Sequence, residues 1–103
     1  MVAVAKRTTA ALTADYDRNS DVLYVTFGPP RPGYGEDGPD DVVLRYGEDD
    51  DTPSGVTVVG FRSNSWLAKS HDLAGIISQH VGVSQSVAQE VIEKAAGPLK
   101  ERS

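Results

Sequence analysis

The chain has 103 residues, which is enough for one compact domain and too few for two. It contains no cysteine, which excludes disulfides, thiolate metal ligands and a cysteine nucleophile and predicts a cytoplasmic location. The formal net charge of −5 disfavours contact with phosphate backbones and suits a basic partner protein or simple solubility.

Residues 1–11 are predicted to be a disordered N-terminal tail. Lys6 and Arg7 are not followed by the apolar core that a signal peptide needs. No apolar run approaches the roughly 20 residues of a membrane span. A single α+β domain is predicted over residues 12–97, with a sheet over 12–62, a helical part over 65–97 and a C-terminal tail over 98–103.

The first predicted elements form an antiparallel hairpin. Residues 12–17 alternate apolar and polar side chains, and residues 21–27 are rich in β-branched and aromatic ones, which is typical of strands. Arg18-Asn19-Ser20 is turn chemistry, with Asn19 as the residue best suited to a left-handed backbone. The hairpin is therefore predicted from both pattern and turn.

Residues 28–41, GPPRPGYGEDGPDD, are predicted to be irregular because proline lacks an amide donor and glycine adds entropy. The PPRP sequence at 29–32 also resembles a short polyproline ligand, although the loop is proline-rich throughout. Two further strands are predicted, Val42 to Tyr46 and Val56 to Phe61. The sheet is then a four-stranded antiparallel meander.

After Arg62 the apolar residues recur at helical spacing. Ser70 and Ser84 are the predicted N-caps of two helices, and Gly97-Pro98 is predicted to end the second. The predicted fold class is therefore α+β, with a four-stranded antiparallel β-meander followed by two short C-terminal helices packed on one sheet face.

The sheet face that points away from the helices is not fully polar. Strand alternation places Val22, Tyr24, Val43 and Val59 on it. An apolar sheet face that no helix covers is typical of an interaction surface. We therefore predict a homodimer with these four residues at the interface.

Asp15, Asp17 and Asp21 cluster around the first turn. Three carboxylates can hold a divalent cation or raise one pKa for general acid catalysis. Asp is also preferred beside turns because its oxygens accept backbone amides. The structural interpretation is favoured, since no histidine or second oxygen cluster lies nearby in sequence, and we predict no metal, no cofactor and no enzymatic activity.

Other candidate sites are weaker. In GEDDDTPSG, Asp49, Asp50 and Asp51 are consecutive, so their side chains diverge and do not match a calcium-binding EF-hand. His71 and His80 are nine residues apart, which places them on opposite sides of one helix, so two separate surface histidines are predicted. The sequence contains no phosphate loop and no nucleophile elbow.

Residues 76–92 resemble a helix-turn-helix, with Gly82 in the turn. Its predicted exposed positions are uncharged or acidic, whereas DNA binding needs lysine and arginine. These positions are Gln85, Ser86, Gln89, Glu90 and Glu93. A DNA-binding regulator is kept as one alternative function, and a carboxylate metal-dependent hydrolase as another.

Two motifs carry a family resemblance over residues 12–62. They are Tyr16-Asp17-x-x-x-Asp21-x-Leu23-Tyr24-Val25-x-Phe27 and Val42-Val43-Leu44-x-Tyr46 with Gly55-Val56-x-Val58-Val59-Gly60-Phe61. The chain resembles a family of small bacterial domains of unknown function, from which it departs by a longer Pro/Gly loop and an Asp-rich loop. The resemblance implies a small α+β fold, no established catalytic residues and an antitoxin-like or other binding role. Together with the acidic charge, it predicts a non-enzymatic interaction domain that masks a small basic partner.

Overall fold

The structure is a computed structural model that describes residues 12–102, with side chains for residues 12–96. The predicted N-terminal tail over residues 1–11 lies outside the described residues. The α+β class, the antiparallel sheet and the two C-terminal helices are confirmed. The elements are β1 (Leu12–Asp17), β2 (Val22–Phe27), β3 (Gly33–Asp37), a 3-10 helix (Pro39–Asp41), β4 (Val42–Gly47), β5 (Pro53–Val59), α1 (Ser70–Val81) and α2 (Gln85–Arg102).

The sheet has five strands in the order β1-β2-β5-β4-β3, so the predicted four-stranded meander is wrong. All four pairings are antiparallel, and β5 lies between β2 and β4. The chain leaves β2 and crosses three strand spacings, about 14 Å, before it enters β3. Residues 28–32 can span about 17 Å when extended, and their prolines favour that extended form.

The prediction that residues 28–41 are irregular is wrong for Gly33–Asp37, which form the edge strand β3. Every proline of this segment lies outside the strand, so no ladder donor is lost. A Cβ on Gly33 would overlap the carbonyl oxygen of Tyr46, so glycine is what lets β3 approach β4. The same composition that predicted a loop therefore permits a closely paired edge strand.

The core lies between one face of the sheet and the two helices. Leu23 pairs with Val58 across β2 and β5, and both are fully buried. Leu73 and Ile77 of α1 and Ile92 of α2 pack in the same cluster. Burial of each such side chain contributes about 1.5 to 3 kcal/mol. In the described part of the chain, α1 packs on β5 and α2 on β1, so both helices cover one face of the sheet.

One of the three predicted helix ends is confirmed. The Val87 amide donates to Ser84 Oγ at 3.2 Å, which confirms that N-cap. The N-cap of α1 is Lys69 without a side-chain bond, so Ser70 is wrongly predicted, and its Oγ instead accepts from Gln89 Nε2 at 2.9 Å. The predicted helix stop at Gly97-Pro98 is also wrong, since α2 continues to Arg102, over most of the predicted tail at 98–103. Glycine before proline removes the Cβ that normally clashes with the proline ring.

No helix within residues 12–102 is both long enough and apolar enough to cross a bilayer.

Candidate functional site

Asp21 connects the first hairpin to the turn that follows β5. Its carboxylate accepts hydrogen bonds from the Tyr16 hydroxyl at 2.7 Å, the Arg62 amide at 2.7 Å and the Ser63 amide at 3.0 Å. Its carbonyl oxygen accepts the amides of residues 60 and 61 at 2.9 and 3.1 Å. Side chain and backbone of one residue therefore fix two segments that are 40 positions apart in sequence.

The left-handed residue of the first turn is Asp21, with φ 59°, and not Asn19 as predicted. Asp17 Oδ1 accepts the amides of Asn19 at 3.0 Å and Ser20 at 3.4 Å. This carboxylate oxygen takes the place that a backbone carbonyl oxygen has in an ordinary turn. The left-handed backbone falls on Asp21, the last turn residue before β2, whose carboxylate accepts the Tyr16 hydroxyl.

The environment of Asp21 favours its charged form. Burial acts to raise its pKa, but the bonds from the Arg62 amide, the Tyr16 hydroxyl and Ser63 outweigh burial and lower the pKa below its ordinary value. The pKa of Tyr16 is raised, first by burial and then by its bond to Asp21. A general acid needs a raised carboxyl pKa, so Asp21 is suited to accept hydrogen bonds and unsuited to donate a proton.

The structure does not bring the three predicted carboxylates together. Asp15 and Asp17 lie opposite Tyr24 and Val22 in the register of β1 and β2, on the sheet face away from the helices. Asp21 bonds Tyr16, whose ring packs on Phe61 with centroids 5.5 Å apart. Residues 12–96 contain no group of three acidic or histidine side chains suited to hold a metal ion.

The acidic loop between β4 and β5 is held by Arg31 of the proline-rich loop. Its Nη1 bonds Asp50 Oδ2 at 2.8 Å and its Nη2 bonds Thr52 Oγ1 at 2.8 Å. The pKa of Asp50 is lowered to about 2. The hydrogen bond from Arg31 is the largest cause, and the bonds from Thr52 come next. Sequence analysis missed this contact, although a lone arginine among prolines before an acidic run was the available signal.

The two histidines contact different elements, as their spacing predicts. His71 Nε2 lies 3.2 Å from Nε2 of Gln85, the first residue of α2. His80 Nε2 lies 2.9 Å from the Arg45 carbonyl oxygen, and its ring meets the Tyr46 ring edge-on at 5.0 Å. The prediction of a surface histidine is therefore wrong for His80, which is half-buried.

The helix pair that resembles a helix-turn-helix exposes no lysine or arginine on α2 before Lys94. On α2, Gln85, Ser86, Glu90 and Glu93 are exposed. Gln89 is half-buried, and its Nε2 donates to Ser70 Oγ at 2.9 Å and to Glu93 Oε2 at 3.0 Å. Gln89 is therefore committed to contacts within the helix pair.

The outer face, defined here as the sheet face opposite the helices, gathers all four residues predicted for an interface. Val22 lies directly opposite Val59, and Thr57 lies between Tyr24 and Val43. Tyr24 and Val59 each expose 45% of their surface. They are two of the three large apolar side chains exposed in the described part of the chain. These four side chains form an apolar strip that Thr57 interrupts.

Charged groups surround this strip. Asp15 pairs with Tyr24 at one margin of the sheet, and Asp37 pairs with Val43 at the other. Arg45 lies one row away, beside a cavity of about 130 Å³ that Tyr24 also lines. Among the described residues, no carboxylate lies within 4.0 Å of the Arg45 guanidinium. In the described part of the chain, the outer face therefore carries apolar side chains around Thr57, the Arg45 guanidinium, and carboxylates at both margins.

A scan against protein-family models, a search of curated proteins and a search of solved structures each found no match to this chain.

Proposed function

We propose that the chain is a non-enzymatic interaction domain that forms a homodimer through the outer face. The observation that carries the proposal is the apolar strip of Val22, Tyr24, Val43 and Val59, two of which expose 45% of their surface. Removal of such a strip from water stabilises a complex by about 25 cal/mol per Å² of apolar area, less the cost of association. A second copy offers a surface of the same kind.

The charges of the outer face support a copy of the chain as the partner. In a two-fold interface each contact occurs twice, so a surface that carries both signs can pair with itself. Arg45 supplies the cation and Asp15 and Asp37 supply the carboxylates. Such pairs set the register of the two copies more than they add affinity.

The broader role that we propose is antitoxin-like: the dimer masks a small basic partner protein in a bacterial cytoplasm. The net charge of −5 supports this role, because it attracts basic surfaces and repels phosphate backbones. The two alternatives have less support. DNA binding is opposed by the first turns of α2, which expose Glu90 and Glu93 and no lysine or arginine before Lys94. Metal-dependent hydrolysis is opposed because residues 12–96 gather no group of three acidic or histidine side chains suited to hold a metal ion.

Light scattering across the micromolar range tests the dimer. We expect the wild-type chain to show twice its monomer mass of 11.0 kDa. Val59→Asp should raise the dimer dissociation constant by about 100-fold or more, because a carboxylate in the apolar strip costs several kcal/mol to bury. Val59 is exposed, so the monomer should keep its fold.

The matched control is Ser86→Asp, which adds the same charge at an exposed position of α2, on the other side of the molecule. This variant should dimerise like the wild type. A wild-type chain that is monomeric at every concentration, or a Val59→Asp chain that dimerises as well as Ser86→Asp, would refute the interface.

A further inference from the structure

A second apolar surface lies on the opposite side of the sheet, where the helices leave β4 partly uncovered. A groove of about 430 Å³ runs between α1 and the hairpin of β3 and β4. Leu44 and Ile76 are half-buried in it, and both also touch the core. The groove is lined by Pro39, Leu44, Ile76, Gln79 and His80. It is wide enough for a large side chain and is separate from the outer face.

His80 lines this groove and is supported by two further rings behind it. His80 is held 2.9 Å from the Arg45 carbonyl oxygen and packs edge-on against Tyr46. Tyr34 stacks on Tyr46 with centroids 5.5 Å apart, and its hydroxyl donates to Asp51 at 2.9 Å. Because His80 is already held in place, a group that binds in the groove loses little free energy in ordering it.

The charges beside the groove are mostly negative. Glu36 is exposed and pairs with Leu44 in the strand register, so it lies on the groove side of β3. Asp72 is exposed one helical turn before Ile76, and Asp40 follows Pro39. The nearby cation Lys69 lies 3.6 Å from Asp40 and 4.2 Å from the centre of the Trp66 ring. Lys69 therefore offsets only part of this negative charge.

We propose that this groove binds a cationic segment of a partner protein that carries one bulky apolar side chain. The apolar side chain contacts Leu44 and Ile76, and flanking lysine or arginine side chains lie beside Glu36 and Asp72. An apolar anchor supplies most of the affinity of such a contact, and the charges supply orientation and association rate. This proposal rests on the interaction role proposed above and specifies the site and chemistry of the basic partner.

Peptide titrations of the uniformly ¹⁵N-labelled full chain at low salt test the groove. The probes are acetyl-Lys-Arg-Leu-Arg-Lys-amide, the same peptide with glycine for leucine, and acetyl-Glu-Asp-Leu-Asp-Glu-amide. We expect the cationic leucine peptide to shift the amide signals of Leu44, Ile76, Gln79 and His80. This peptide should bind at least about 10-fold more tightly than the glycine or acidic peptide. Added salt should weaken its binding.

Two charge reversals at exposed positions localise the site without touching the core. Glu36→Lys should weaken binding of the cationic leucine peptide by about 10-fold. Glu90→Lys makes the same change in net charge on α2 and should weaken it by less than about 2-fold. Equal losses in both variants, equal binding of the leucine and glycine peptides, or shifts confined to the outer face would overturn the proposal.

The mass of the same samples separates this test from that of the dimer. A monomeric chain whose groove signals still shift refutes the homodimer and supports the groove. A dimer that binds none of the peptides supports the homodimer and refutes the groove.

Discussion

Replacement of Asp21 by alanine should lower the free energy of unfolding by about 2 to 4 kcal/mol. The change removes three hydrogen bonds to a charged carboxylate, from Tyr16, Arg62 and Ser63. It also leaves alanine in a left-handed backbone conformation that asparagine or aspartate tolerates better. Urea denaturation monitored by the fluorescence of the buried Trp66 measures the loss.

The neighbouring carboxylates supply matched controls for Asp21→Ala. Asp17→Ala loses two amide contacts at an exposed turn and should cost about 1 kcal/mol. Asp15→Ala removes an exposed side chain on β1 and should stay within about 0.5 kcal/mol of the wild type. Equal losses of unfolding free energy in all three variants would contradict the role assigned to Asp21. A loss that is largest for Asp15→Ala would contradict it too.

The charge of Asp21 should also appear in the pH dependence of stability. Because the folded pKa lies below the unfolded value, the contribution of Asp21 is fully present above the unfolded pKa of about 3.9. The contribution is lost as the pH falls through the folded pKa. Asp21→Asn keeps the shape and the turn preference but not the charge, so its stability curve should approach the wild-type curve below about pH 4. Curves that stay parallel would show that the charge contributes nothing.

Replacement of Gly55 by alanine should cost about 3 kcal/mol of the free energy of unfolding. Gly55 is buried in the central strand β5, between β2 and β4. A Cβ at this position would overlap the carbonyl oxygen of Val25 and meet the Cα of Thr26 at 3.4 Å. Both obstacles are backbone atoms, so the strands themselves must separate. Urea denaturation measures this loss as well.

The matched control is Gly75→Ala, which adds the same methyl group inside α1. The nearest atoms to its new Cβ belong to the Gln85 side chain, at 3.9 Å and beyond. With space available, alanine should stabilise the helix by about 0.5 to 1 kcal/mol, because glycine loses more backbone freedom on folding. A Gly55→Ala chain as stable as the wild type would refute the close packing of β2 and β5.

Local patterns predicted the parts of the fold that local physics determines. The alternation of Leu12 to Asp17 and the β-branched and aromatic residues of Val22 to Phe27 predicted the first hairpin, and helical spacing located α1 and α2. The pairing of β2 with β5 was not predictable in this way, because it depends on which strand buries its apolar face best. The five-residue connection over 28–32 only permits that order.

Composition misled where a tertiary contact overrides it. Gly33 and Gly35 suggested a loop, yet their missing Cβ atoms let β3 pair closely with β4. In the candidate site too, local patterns predicted some features and missed others. Strand alternation brought Val22, Tyr24, Val43 and Val59 to one face, whereas the contacts of Asp21 with Arg62 and Ser63 join segments whose sequences give no sign of each other.

Isotope-filtered NMR of a mixture of labelled and unlabelled copies tests directly whether the outer face forms a dimer. Only contacts between two copies give cross-peaks in this experiment. We expect cross-peaks between the Tyr24 ring of one copy and the Val43 or Val59 methyl groups of the other. Cross-peaks between copies that involve only other surfaces, or no such cross-peaks at a concentration where the wild-type chain is dimeric, would refute a dimer through the outer face.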